Sequence, residues 1–322
     1  MTRIISTLFL ATLLAVGFPV VLAQAQSART FVSAARGDDL NTCTSVATPC
    51  RTFQAAHDKT SSDGEVTVLD PGGYGGLVIT KSISIVNDGV GESSILVSGG
   101  ATGITINAPD GAGYVNLRGL TIQGIGFGGG TGLVFNTGFT LTITNCLVRN
   151  HTGNGIELLP DATSHIAISD TLVADNGGSG IFMRPTGNGA TKLTLSRVVA
   201  ANNSLDGAFV SGQFAFPPGT IDAVIVDSKA VANGSTGFNA FSTGGHGTTS
   251  MMLVRSVAIG NRLTGISASS VITTLRLARS TVTGNAASWT VANSAFLASF
   301  GDNYINGNGD GDPPIPTILA RK

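Results

Sequence analysis

From residue 141 onward, apolar and polar residues alternate in short runs that return at near-regular intervals. Leu141-Thr142-Ile143-Thr144-Asn145-Cys146-Leu147-Val148 leads to Asn154-Gly155-Ile156-Glu157-Leu158. The next copy is Ile166-Ala167-Ile168-Ser169-Asp170-Thr171-Leu172-Val173, followed by Ser179-Gly180-Ile181-Phe182-Met183. Further copies start at Leu193, Ala223 and Leu253, and a weaker one at Leu275. The glycine that opens the second run stands at 155, 180, 207, 237 and 265, in steps of 25, 27, 30 and 28. An asparagine recurs at 176, 203, 233, 261, 285 and 308. Period-two alternation predicts strands, and the Gly, Asn and Asp between them predict turns. No helical stripe runs through these units. Repeats near this length, built of short strands, predict one coil of a β-solenoid per repeat.

In such a stack each strand pairs with its equivalents above and below, and alternate side chains fill the interior. A turn inside the stack presents backbone groups that must be paired. An amide both donates and accepts, so Asn176, Asn203, Asn233, Asn261, Asn285 and Asn308 are expected to form a hydrogen-bonded ladder at one corner. Upstream, strands are expected at Glu65–Leu69, Gly76–Thr80, Ile83–Asn87, Ile95–Ser98, Gly103–Asn107 and Val115–Gln123. Thr52–Lys59 is expected to be a helix that caps the open end, with Phe53 and Ala56 inward. The tail after Gly309 carries Pro313, Pro314 and Pro316, which stop further strand pairing.

The expected organisation is all-β, with a leader over 1–25, a cap segment over 26–62, the solenoid over 63–310 and a tail over 311–322. The leader reading rests on Arg3, the apolar stretch Ile4–Leu22 and the small-x-small site Ala23-Gln24-Ala25. It predicts export, secreted or periplasmic, with cleavage after Ala25 and no membrane span in the mature chain. Export permits a disulfide, and Cys43 and Cys50 flank a short polar segment suited to one. Cys146 falls on an inward position and is expected to be a buried thiol.

Composition narrows the function classes. A net charge of −1 with 11% charged residues gives no basic patch for nucleic acid. One Trp and three Tyr supply few of the rings that stack on sugars. No metal or cofactor is expected, because His, Cys and acidic residues do not cluster with ligand spacing.

The strand openings His151 to Ile156 and Asn233 to Phe238 follow an Asn-x-x-x-Gly-Ile pattern. With Phe31-Val32-Ser33, Gly37-Asp38-Asp39, Pro49-Cys50-Arg51-Thr52 and Asp70-Pro71-Gly72-Gly73-Tyr74, the chain resembles right-handed parallel β-helix proteins of the pectin-lyase-like superfamily over roughly residues 30–308. The resemblance implies a right-handed coil, and the fold hosts lyases, hydrolases, esterases and adhesins. The motifs of those enzymes are mostly missing. Gly245-His246-Gly247 matches a polygalacturonase motif but lies in a glycine-rich connection. Asp206 precedes a strand-opening glycine, yet its neighbours one coil away are Ser179 and Thr236, whereas glycoside hydrolysis usually needs two carboxylates. The outward row Glu157, Phe182, Phe209, Asn239, Ser267 holds one carboxylate, too few for the calcium of a pectate lyase. Gly76 stands where a pectin methylesterase would carry Glu.

One positive site expectation remains. Phe182 and Phe209 are expected to stack outward on neighbouring coils about 4.8 Å apart, forming with Glu157, Arg184 and Asn239 a shallow strip for a polysaccharide or cell-surface glycan. A competing expectation is that the insertion Gln213–Pro218 folds back and buries both rings with Phe214 or Phe216, since exposed apolar patches are uncommon. A surface Glu157–Arg184 ion pair is expected as well. The leading function is an exported surface or periplasmic binding or scaffold module with no identified catalytic constellation. The alternatives are a polysaccharide lyase or hydrolase with an unfamiliar site, and a self-associating structural protein.

Overall fold

The computed structural model describes residues 26–109, 112–124 and 128–320. The leader and its cleavage site lie outside the described residues. Among those described, the strands form three parallel sheets of twelve, ten and nine strands. The chain visits them in turn, so that each complete coil contributes one strand to each, and the incomplete coils at the two ends account for the unequal numbers. One such coil is Ser164–Ser169 (sheet 1), Leu172–Ala174 (sheet 2) and Ile181–Met183 (sheet 3). Inward positions stack in register. Ile166, Leu193, Ala223 and Met251 form part of one buried row of sheet 1, and Ile168, Leu195, Ile225 and Leu253 form the next. Burial of such side chains contributes about 25 cal/mol per Å² of apolar surface removed from water.

Each long run thus breaks into two strands, where the sequence pattern suggests one. The break is the first corner, a bend made by one residue in the left-handed region: Asn145 (φ 53), Asp170 (51), Arg197 (54), Asp227 (51), Arg255 (47) and Arg279 (51). Gly119 (φ 70) makes the same bend inside the expected strand Val115–Gln123, which is really Tyr114–Arg118 and Leu120–Gly124. Arginine is an unusual occupant of this conformation. Here each arginine pairs with an aspartate one coil away: Arg197–Asp170 at 2.6 Å, Arg255–Asp227 at 2.7 Å and Arg279–Asp302 at 3.7 Å. The first two pairs are exposed and contribute little to stability.

The residue after each bend turns inward, and where it carries a hydroxyl or amide its side chain accepts a backbone N–H of the preceding coil. Val198 N donates to Ser228 Oγ, Ser228 N to Ser256 Oγ, Ser256 N to Ser280 Oγ and Ser280 N to Asn303 Oδ1. Cys146 belongs to this column, where its own N–H donates to Thr171 Oγ1 at 3.3 Å. It is a free, buried thiol that burial pushes up to about 11.

The second corner, between sheets 2 and 3, carries the asparagine column. From Asn176 to Asn308, each Nδ2 donates to the next Oδ1 at 2.9–3.0 Å. Each Oδ1 also accepts the backbone N–H of the preceding asparagine. From Asn203 onward, Nδ2 additionally reaches a carbonyl of the previous coil at 3.0–3.2 Å. Asp312 ends the ladder by accepting from Asn308 N and Nδ2. The recurring glycine has a reason in the same corner. A Cβ on Gly237 would stand 2.5 Å from Gly265 O and 2.8 Å from Asn261 Nδ2, both in the adjacent coil. Gly237→Ala is therefore expected to lower stability by about 1–3 kcal/mol through overpacking, read as a lower urea midpoint with unchanged m-value.

His151 takes the first rung. Its N–H donates to Asn176 Oδ1, and its Nε2 lies 3.3 Å from Ile122 O. Burial holds its pKa below the usual histidine value, with the Ile122 contact opposing. Buried His57 is shifted the same way by burial, against its Asp58 hydrogen bond. A histidine whose folded pKa is depressed binds fewer protons folded than unfolded. Its contribution is therefore complete above about pH 6.5 and is lost as pH falls toward the folded value. The urea midpoint is expected to drop between pH 7 and pH 5. In His151→Asn, which continues the ladder without a titrating group, the drop should be shallower; an identical slope would contradict this role.

Both ends are closed. The helix Phe53–Lys59 begins at Thr52, whose Oγ1 accepts from Ala55 N at 3.2 Å, and Phe53 packs on Tyr74 with ring centroids 4.8 Å apart. Cys43 and Cys50 form a disulfide beside it. Sheet 1 already starts at Ser27–Val32, which pairs with Thr60–Val68, so a boundary at residue 63 cuts through a strand. At the far end Trp289 Nε1 donates to Pro313 O at 2.9 Å and Ile315 is buried. Strand pairing resumes past the prolines, where Thr317–Ile318 joins Ala298–Ser299. No described helix is long and apolar enough to cross a membrane.

Candidate functional site

The outer face of sheet 3 brings the expected strip residues together. Register aligns Glu157 with Phe182, Phe182 with Phe209, and Phe209 with Asn239. Three coil steps of about 4.8 Å make this row roughly 14 Å long. The rings of Phe182 and Phe209 are stacked, 5.3 Å between centroids at 22°. Phe241, which the sequence reading left out of the strip, extends the stack at 6.2 Å and 25°. It lies two residues beyond Asn239 and so points to the same face.

Two expectations about this face need correction. The insertion does not bury the rings: Phe182 and Phe209 stay partly exposed, and Phe214 and Phe216 are 43% and 60% exposed. Ala215 is the insertion residue that tucks inward. Nor does Arg184 pair with Glu157. Its guanidinium lies between two rings, with Cζ 5.2 Å from the Phe182 centroid and 4.6 Å from the Phe214 centroid. Its Nε is buried without a hydrogen-bond partner. The ring faces attract the cation, so the arginine ties the insertion to Phe182.

The polar groups around the rings fall into two kinds. Asp206 is occupied: its carboxylate accepts from Thr236 N at 2.8 Å and from Asn239 Nδ2 at 3.2 Å. It therefore orients Asn239 and braces a strand opening. Arg184 and Glu157, by contrast, make no ion pair with each other or with any described residue. His246, in the glycine-rich connection, stands beside Phe216 with centroids 6.5 Å apart, and its Nδ1 is buried without a partner. Among the described residues no group of three or more His, Cys, Asp or Glu is placed to hold a metal ion.

A second face was not legible in the sequence. On the outside of sheet 1, His165, Lys192 and Asp222 are neighbours in register. Phe139 packs against the His165 ring at 5.1 Å and against Tyr114 at 5.8 Å. Only the register, set by connections of unequal length at the third corner, reveals the row.

Three parallel sheets, a one-residue first corner and an amide ladder define the architecture. A family profile described as a right-handed β-helix region matches residues 64–250, more than half of the chain. This chain belongs to the right-handed β-helix family. The coil is thus right-handed, and the fold is that of the pectin-lyase-like superfamily. Among solved structures, the chain is similar to pectate lyase Pel9A, with a TM-score of 0.63 and 17% identity over 90% of this chain and 82% of that one. A rhamnogalacturonan lyase aligns with a TM-score of 0.46 and 14% identity over 80% and 74%. The Dettilon tailspike protein (gp208) aligns with 0.42 and 12% over 81% and 57%. No curated protein matches the chain.

Proposed function

We propose that this β-helix is an exported glycan-binding module whose binding surface is the outer face of sheet 3 between Glu157 and Phe241. The observation that carries the reading is the partly exposed stack Phe182, Phe209, Phe241, flanked by an arginine and a glutamate that make no ion pair with any described residue. A pyranose offers C–H groups on its faces and hydroxyls around its edge. Flat rings suit the first, and Arg184, Glu157 and Asn239 suit the second, as in ligand sites where a few polar groups orient an apolar contact. Phe and Arg carry contact area at low rotameric cost when already packed against each other. The fold-level likeness to a pectate lyase agrees with a polysaccharide partner as analogy only. Export follows from the leader read at 1–25, and the mature chain is expected to begin at Gln26.

A catalytic reading has its own observation, the His165, Lys192, Asp222 row on sheet 1. A histidine, a lysine and a carboxylate side by side are groups that acid–base chemistry on a uronate could use, but the row has one carboxylate rather than two. Purified protein incubated with a panel of plant and bacterial polysaccharides separates the readings. Binding without new reducing ends and without unsaturated-product absorbance is expected. Product formation lost in Lys192→Ala would replace the binding module with an enzyme.

A further inference from the structure

Each strand of sheet 2 between Leu147 and Ile259 is three residues long, with its middle residue inward and its two flanking residues outward. The outward positions form an apolar stripe. Leu147, Leu172, Val199 and Val257 lie in the row beside the first corner, and Val231 and Ile259 lie in the other row. Leu172 and Ile259 are 40% and 38% exposed, so the chain itself leaves the stripe uncovered. Arg149 and Lys229 are the charged side chains on these strands, and Arg149 already donates to Gln123 Oε1. Sheet 1 differs over the same coils, where the outward positions are mostly Thr, Ser and ionisable residues. The stripe is therefore a feature of sheet 2 and not of the repeat. Contiguous apolar surface of this kind marks a contact site.

The first corner borders this stripe and carries Asp170, Arg197, Asp227 and Arg255 on four successive coils. The order is acid, base, acid, base, so the column is complementary in charge to its own reverse. We propose that sheet 2 is a dimer interface, on which a second copy of this chain packs face to face with its coils stacked in the opposite direction. The two-fold axis runs parallel to the strands, between Val199–Ala201 and Lys229–Val231. It sets Asp170 beside the second copy's Arg255 and Arg197 beside its Asp227, and the reverse pairs follow by symmetry. Each carboxylate, already held by an arginine of its own copy, gains a second guanidinium. Side-chain sizes match about the same axis. Ala174 falls opposite Ile259, Ala201 opposite Val231 and Leu172 opposite Val257, so in one row small residues face large ones. Lys229 lays its stem on Val199, and its head lies within a coil step of the second copy's Asp227. Arg279, further along the column, falls beside the uncharged Asn145. Six coils spaced about 4.8 Å apart, across a face about 20 Å wide, bury roughly 600 Å² per copy, at the lower end of specific interfaces. Association in the micromolar range is therefore expected.

The test is sedimentation velocity of the full-length mature protein from low micromolar to near-millimolar concentration. The sedimentation coefficient of the wild type is expected to rise from that of a monomer to that of a dimer. Leu172→Lys, at an exposed position that the fold does not need, should weaken association at least tenfold while the thermal melt stays where it was. The variant Asp170→Arg/Arg197→Asp/Asp227→Arg/Arg255→Asp exchanges the signs along the whole column and keeps both ion pairs within each copy. It should dimerise with itself as the wild type does. Fluorescently labelled wild type, titrated with this unlabelled variant, should bind it at least tenfold more weakly than it binds wild type, because every facing charge is then a like charge. A wild type that stays monomeric over the whole range overturns the interface. A dimer that Leu172→Lys leaves intact, or one that mixes with the sign-exchanged variant as tightly as with itself, overturns it as well.

Discussion

Asn233→Ala is expected to destabilise the protein by about 3–5 kcal/mol, enough to remove much of the stability of an ordinary domain. Asn233 sits mid-ladder and is 1% exposed. Its Oδ1 accepts from Asn203 N at 3.1 Å and from Asn203 Nδ2 at 3.0 Å. Its Nδ2 donates to Asn261 Oδ1 at 2.9 Å and to Ala200 O at 3.1 Å. Truncation strands two donors and weakens two acceptors in a region closed to water, and each unpaired buried group costs about 1–3 kcal/mol. Some of that is recovered if water enters the space, which is why the sum is not simply four times the unit cost. Asn233→Asp should be no better: it keeps the acceptor but aims a buried negative charge at Asn261 Oδ1 and Ala200 O. Urea unfolding of the two variants beside wild type measures this. A loss below about 1 kcal/mol in both would mean that the ladder decorates the corner rather than holding it.

The second large effect is on binding. Phe182→Ala/Phe209→Ala is expected to lower affinity for a bound oligosaccharide by at least about 100-fold, while thermal stability changes much less than in the ladder variants. Truncating a central aromatic anchor typically costs about 2 kcal/mol or more, and each 1.4 kcal/mol is tenfold. Both rings are partly exposed and reach the core only through their backbone positions, so their removal leaves no interior cavity. Arg184→Ala should weaken binding by a smaller factor and also release Phe214, because the same guanidinium packs on both rings. Arg184→Lys would not restore it, since an ammonium lacks the flat face that stacks between two rings. Titration calorimetry with an oligosaccharide that binds wild type reads these changes.

What the sequence disclosed follows the physics of repetition. The glycines at 155, 180, 207, 237 and 265 are visible because a Cβ there would crowd the next coil, so a larger residue is disfavoured. The asparagines are visible because only an amide can donate up and accept down at one corner. The first corner was hidden for the opposite reason. Its left-handed residue is Gly, Asn, Asp or Arg in different coils, so no single turn residue marks it. The inward Ser and Thr after each bend read as ordinary strand residues. The strip itself was half legible: the row from Glu157 to Asn239 follows from counting past each glycine, but Phe241 and the capture of Phe214 by Arg184 depend on how a loop of irregular length settles. The sheet 1 row of His165, Lys192 and Asp222 depends on register across such loops.

Affinity electrophoresis asks the functional question most simply. The protein is run through native gels cast with individual polysaccharides. At least one gel should slow the wild type, and the double phenylalanine variant should migrate there as it does in a blank gel. Equal retardation of both proteins, or free migration of the wild type in every gel, would contradict a glycan surface on sheet 3.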